Sequence, residues 1–194
     1  MNCKQAGLFL SGASLLLSLP ACNGIFEGIY DMPTTETGNE YGFILIDEGT
    51  RTGRIYIDAT DYTEWHYVDL HDKQLTTTQV GDAAPETWDF AVHRYDTKTN
   101  GGTVWESQAG SFDALPAPES VSEEQWTEDE WTTDRITIDM SQMMDGIILY
   151  AEDYWNPTLS RWLNVDTSTM PPIYTLSGKI YLLRLKDGTC AALR

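Results

Sequence analysis

The chain has 194 residues, a formal net charge of −18, seven Trp and ten Tyr. That length suits one domain with a continuous core, needing no metal or disulfide staple. The charge repels polyanions and no Lys/Arg stripe is present to release counterions, which argues against a nucleic-acid partner.

Residues 1–21 read as a signal peptide. Lys4 and the terminal amine give a weak positive start, and Leu8 to Leu19 form an apolar run too short to span a bilayer. Leu19-Pro20-Ala21-Cys22 has the form of a lipobox, which makes Cys22 the lipid acceptor and the protein membrane-attached. The alternative is an ordinary secretory leader cut after Ala21. With Cys3 removed and Cys22 acylated, Cys190 is the one thiol left, so no intrachain disulfide is expected. Near a strand end, Cys190 reads as a small apolar filler. Residues 22–40, rich in Gly, Thr, Asn and Glu, read as a lipidated flexible tether.

Residues 41–194 read as one all-β domain. Short apolar runs recur between turn signals, at Gly42 to Asp47, Arg54 to Asp58, Trp65 to Leu70, Trp88 to Tyr95, Arg135 to Met140, Gly146 to Ala151 and Lys179 to Lys186. The stretch Trp88 to Tyr95 alternates strongly: Trp88, Phe90 and Val92 are expected on one face, and Asp89, Ala91 and His93 on the other, of a half-buried strand. A glycine-ended turn is expected at Asn100-Gly101-Gly102. Between Phe112 and Thr133, prolines and glutamates with Trp126 and Trp131 predict a solvated acidic loop, with room for one helical turn.

Three separated blocks then appear in order: Ile57 to Trp65, Trp88 to Gly102, and Tyr174 to Tyr181, with Trp162-Leu163 and Pro172-Ile173-Tyr174-Thr175-Leu176-Ser177 as a second anchor. In these the chain resembles the HmuY family of haem-capturing bacterial surface lipoproteins. The resemblance implies an antiparallel β domain with two loop-bearing hairpin extensions that grip haem. It also implies delivery of that haem to an outer-membrane TonB-dependent transporter, by a lipoprotein exposed at, or shed from, the cell surface. Members usually continue with further strand beyond the end of this chain at Arg194, which implies a C-terminally truncated domain with an unpaired edge.

In the best-known branch the iron is held by two histidines, whose places fall near Ile147 and Thr167, and neither residue ligates iron. His66, His71 and His93 all lie upstream of both loops. Other branches look to have exchanged histidine for methionine, and this chain resembles them. Four of its six methionines sit in the two loops: Met140, Met143 and Met144 in one, Met170 ahead of Pro171-Pro172 in the other. Met144 and Met170 are the expected axial ligands, with Met143 an open alternative to Met144. A thioether is a soft, neutral donor suited to haem iron. It does not titrate near pH 6.5 as imidazole does, so haem binding should resist mild acid and favour reduced iron.

His93, beside Arg94 in the strand motif, reads as a structural imidazole, and no zinc site follows from His66 and His71. Arg135, Lys98 and Arg161 are candidate contacts for haem propionates, though solvated charge is the simpler reading of each. A competing function is a surface carbohydrate-binding module using Trp65, Trp105, Trp126, Trp131, Trp155 and Trp162 as stacking platforms. No nucleophile elbow, Walker loop or metalloprotease motif is present, so an enzyme is not expected.

Overall fold

The computed structural model describes residues 42–47, 49–166, 168–169 and 171–194, all within the unit Met32–Arg194. Cys22, Thr167 and Met170 lie outside the described residues, as do the leader and the tether. The described chain is all β, with antiparallel pairing throughout and helical turns of no more than four residues.

The described chain opens with β1 (Gly42–Asp47) paired with β2 (Thr52–Tyr56). Next come β3 (Glu64–Asp69), β4 (Gln74–Gln79), β5 (Phe90–His93) and β6 (Asp96–Thr99), which form a sheet in the order β4-β3-β5-β6. The predicted strand from Trp88 to Tyr95 is thus shorter, and a tight turn at Arg94-Tyr95 reverses the chain. Arg94 turns it with a positive φ of 52°, which its guanidinium stabilises by donating to the Thr60 carbonyl at 2.6 Å and stacking 4.1 Å over the Tyr62 ring.

The face assignment is corrected at one residue. Phe90 and Val92 do share a face, but Trp88 precedes the strand and packs with Ala91 on the opposite side. Nor is β5 half-buried: Ala91 and His93 are fully enclosed, as Phe90 is. Both faces of this sheet are covered, so its central strands read as near-continuous buried runs, and alternation understates their burial.

A second sheet, in the order β13-β12-β7, joins β7 (Thr103–Ser107), β12 (Ile180–Arg184) and β13 (Cys190–Leu193). It packs on the first sheet through Val104, Tyr181, Leu183 and Leu185 against Val68 and Phe90. Gly102 enters β7 where a Cβ would come within 2.6 Å of the Arg184 carbonyl oxygen, so only glycine lets these backbones approach. Cys190 is exposed at the start of β13, so it fills no apolar site.

The acidic stretch from Phe112 is not a solvated excursion. Three short helical turns lead to Val121 and Trp126, which are buried against Leu182 on the outer face of β12. Its glutamates face solvent while its spaced apolar residues form a lid, a pattern hidden by the local charge.

Two further hairpins complete the molecule. The first pairs β8 (Glu130–Asp139) with β9 (Leu149–Trp155), with register shifts between Thr132 and Ile136 and between Thr137 and Asp139. The second pairs β10 (Leu163–Asp166) with β11 (Ile173–Leu176) in regular register.

Candidate functional site

Both of these hairpins are rooted on the open edge of β6, because that edge has backbone groups to satisfy. The Asn156 amide, just past β9, donates to the Thr97 carbonyl at 2.7 Å. The Thr97 amide donates to Ser160 Oγ at 2.9 Å, at the start of the second hairpin, and the Thr99 amide donates to Asp129 Oδ2 at 2.7 Å, just before β8. Asn156 is fully buried: its Nδ2 donates to Asp129 Oδ1 at 2.8 Å while its Oδ1 accepts from the Leu159 amide at 2.8 Å. Burial pushes the Asp129 carboxyl upward, opposed by those hydrogen bonds from Asn156 and Thr99. The Asn156-Pro157 turn signal was readable in the sequence, but the partners it would find were not.

The Arg94-Tyr95 turn reaches the root of the second hairpin. Trp162 Nε1 donates to the Tyr95 carbonyl at 3.0 Å, and Ser177 closes the second hairpin by donating its amide to the Trp162 carbonyl at 2.8 Å. Tyr95 is a neutral phenol with its pKa pushed up to about 12, chiefly by burial, with Asp96, Tyr62 and Tyr174 adding to it. Asp96 is raised by burial and held back by His93 and by Arg135 of β8.

His93 is fully enclosed, donating Nε2–H to the Tyr62 carbonyl at 2.8 Å with Nδ1 3.7 Å from Asp96. His66 contacts Thr77 Oγ1 at 2.9 Å and its pKa is lowered by burial. His71 sits between two carboxylates, with Nδ1 3.4 Å from Asp89 and Nε2 3.2 Å from Asp187. Asp69, His71 and Asp89 bring donor atoms within 4.8 Å of one another. The two carboxylates already accept backbone amides there: Asp69 from His71 and Asp72, Asp89 from Leu70.

At the tip of the first hairpin, Met143–Asp145 form one helical turn that closes on Gly146, whose φ of 79° is left-handed. The Gly146 amide donates to the Met143 carbonyl at 3.0 Å. Met144 is 88 % exposed and Met143 38 % exposed, so the turn displays apolar thioethers to solvent. Ile147, Leu149, Tyr150 and Tyr154 continue that exposed apolar surface down β9, and Trp131 stands edge-on to Tyr154 with ring centroids 5.2 Å apart. On the second hairpin, Ile173 and Leu176 are exposed. Among the described residues, nine of the ten large exposed apolar side chains lie on these two hairpins, Phe112 being the tenth. Unpartnered apolar surface of this kind marks a binding site.

The other candidates separate clearly. Lys98 is buried and paired with Asp153 at 2.6 Å. Arg161 lies 3.5 Å from Glu106. Arg135 is 60 % exposed, with Nε 3.9 Å from the Asp134 carboxylate and its guanidinium 5.5 Å over the Trp155 ring. Of the six tryptophans proposed as sugar platforms, Trp65 and Trp126 are buried and only Trp131 is among the exposed large apolar residues.

Comparison with known proteins agrees with this architecture. A protein from Bacteroides vulgatus ATCC 8482, provisionally named an HmuY-like heme binding protein, is 53 % identical, with a TM-score of 0.73 over 80 % of this chain and 87 % of its own. A lipoprotein of Bacteroides fragilis NCTC 9343, also provisionally named, is 50 % identical, with a TM-score of 0.74 over 82 % of this chain and 86 % of its own. The apo HmuY analog of Tannerella forsythia is 25 % identical, with a TM-score of 0.57 over 70 % of this chain and 81 % of its own. No curated protein matches. The HmuY protein family model matches residues 61–194. With the family's sequence pattern across most of its length and relatives of half-identical sequence sharing its fold, the chain belongs to the HmuY family.

Proposed function

We propose that this protein binds haem between its two exposed hairpins, with one thioether from each hairpin as an axial ligand. The observation that carries this reading is the concentration of exposed apolar side chains on those two hairpins, in a chain otherwise heavily acidic. A flat, mostly apolar macrocycle would cover that surface, and burial of it would drive association at roughly 25 cal/mol per Å2.

The donor set fits. Met144 projects from a rigid helical turn into solvent, where an apolar side chain has no core to fill, and it is the preferred ligand over Met143. Met170 is the expected partner from the second hairpin. His66 and His93 are held within the domain, and His71 is engaged by the carboxylates of Asp89 and Asp187. A neutral soft ligand pair raises the reduction potential and does not compete for protons near neutral pH. Arg135 is the exposed cation of the first hairpin and the remaining candidate for a propionate.

The role is binding and not catalysis. Cys22 as a lipid anchor, residues 1–21 as a leader and 22–40 as a tether complete a reading as an outer-membrane surface lipoprotein that passes haem to a TonB-dependent transporter. The lipoprotein named among the structural relatives supports the anchor.

Titration with haemin, oxidised and reduced, tests the reading. Wild type should develop an intense Soret band, tighter in the reduced state, and keep it at mildly acidic pH. Met144→Leu and Met170→Leu should each shift the Soret maximum and weaken binding, while Met143→Leu should leave both unchanged. Absence of a Soret band in wild type rejects haem; a band unaltered in all three variants rejects methionine ligation.

A further inference from the structure

Lys98 is a lysine with 6 % of its surface exposed, in the middle of β6. Its ammonium lies 4.2 Å from the centroid of the Trp65 ring, 5.2 Å from that of Tyr67 and 5.8 Å from that of Trp88. Three aromatic faces thus surround one cation, an arrangement that compensates part of the lost hydration. Its ion-pair partner is Asp153 Oδ2 at 2.6 Å, and Asp153 belongs to β9 of the first hairpin. Asp153 also accepts the Tyr154 amide through Oδ1 at 2.7 Å, which fixes the carboxylate on its strand.

The strand register explains why the cation arrives there. Tyr67, Ala91 and Lys98 form one cross-strand row of the β3-β5-β6 sheet, with the small Ala91 leaving room for a long side chain to lie across it. Ile136 of β8, fully enclosed, packs against Trp65, Tyr67 and Ala91 in the same cluster. Both strands of the hairpin therefore reach the sheet, since Ala151 of β9 packs on the same apolar cluster as Ile136. Apolar contacts of this kind tolerate rotation, whereas the bond that Asp153 of β9 makes to Lys98 is charged and directional. The β8–β9 ladder has a register shift between Thr132, which pairs with Asp153, and Ile136, which pairs with Ala151, so Asp153 sits beside the irregular stretch of the hairpin.

From this geometry we propose that Lys98 and Asp153 form a positioning pair that sets the direction in which the first hairpin presents Met144. The pair touches no haem and acts by preorganising the hairpin, so that binding does not have to order it. This rests on the haem reading given above.

The test uses Lys98→Met, Asp153→Asn and Lys98→Arg in the full chain. Haemin affinity should fall about tenfold in Lys98→Met and in Asp153→Asn, with the Soret maximum of the loaded protein unchanged because the ligands are the same. Lys98→Arg, which keeps a cation for Asp153, should recover most of the affinity. In the haem-free protein, amide exchange in both weakened variants should accelerate within residues 130–155 and stay at the wild-type rate in β12, a separation that general destabilisation would not produce. Asp153→Asn, nearly isosteric, keeps the test decisive should Lys98→Met not fold. Wild-type affinity in Asp153→Asn, or acceleration spread equally over β12, overturns the proposal. Absence of any Soret band in wild type would overturn the haem reading itself, a result distinct from either.

Discussion

His71 shows how a single side chain can carry two kinds of information. Its ring spans the turn after β3 and the turn before β13, with Asp89 on one nitrogen and Asp187 on the other. These carboxylates raise its pKa, Asp89 most strongly. A raised value in the folded state means the stabilisation is fully present below imidazole's ordinary range and fades as pH rises through the raised value. Wild type should therefore melt above His71→Gln by a larger margin at about pH 6 than at about pH 9. His66 shifts in the opposite direction by burial, but it is present in both proteins and cancels from the difference. An equal margin at both pH values would show that the clip makes no charged contribution. The ring is half exposed, so solvent screening keeps the effect small.

At the scale of the element, the first hairpin combines a fixed root and a free tip. Ile136 is fully enclosed among Trp65, Tyr67 and Ala91, whereas Ile147 near the tip is 47 % exposed. Truncating the first leaves a cavity in a packed cluster; truncating the second removes surface already in water. Ile136→Ala should cost about 2–5 kcal/mol in denaturant unfolding, and Ile147→Ala should cost under about 0.5 kcal/mol. A large loss from Ile147→Ala would place the tip against the domain and leave it no freedom to meet a ligand. Met143 and Met144 both stand exposed at this tip, so neither fills the core.

For the molecule as a whole, the apolar surface on the hairpins is a liability until it is covered. A ligand that binds only the folded state raises its stability by mass action, about 2.7 kcal/mol when free haemin is a hundredfold above its dissociation constant. The melting temperature should rise with haemin concentration in wild type and rise less at the same concentrations in Met144→Leu. A melting temperature indifferent to haemin would mean that the folded and unfolded chains bind it equally, or that neither does.

How much of this was legible beforehand differs by residue. The all-β class and the Met-Met-Asp-Gly turn followed from local chemistry, because turn residues and strand alternation act over a few positions, whereas the two loop-bearing hairpins were implied by the family resemblance. The family could be recognised from the Trp88 to Gly102 block for the same reason: its pattern is contiguous. The reversal at Arg94-Tyr95 escaped, since a positive φ at arginine is stabilised by Thr60 and Tyr62, more than thirty residues away. Burial of Trp126 beneath acidic neighbours escaped because local composition reports charge and not which face is covered. Lys98 read as solvated charge, as isolated lysines generally are, and only the folding of β3, the segment before β5, and β9 around it supplies the rings and the carboxylate that make burial tolerable. Sequence by itself determined the all-β class and which residue types the loops carry. Tertiary structure alone decided which charges are committed internally and which surfaces stay open, because burial and pairing depend on residues distant in the chain.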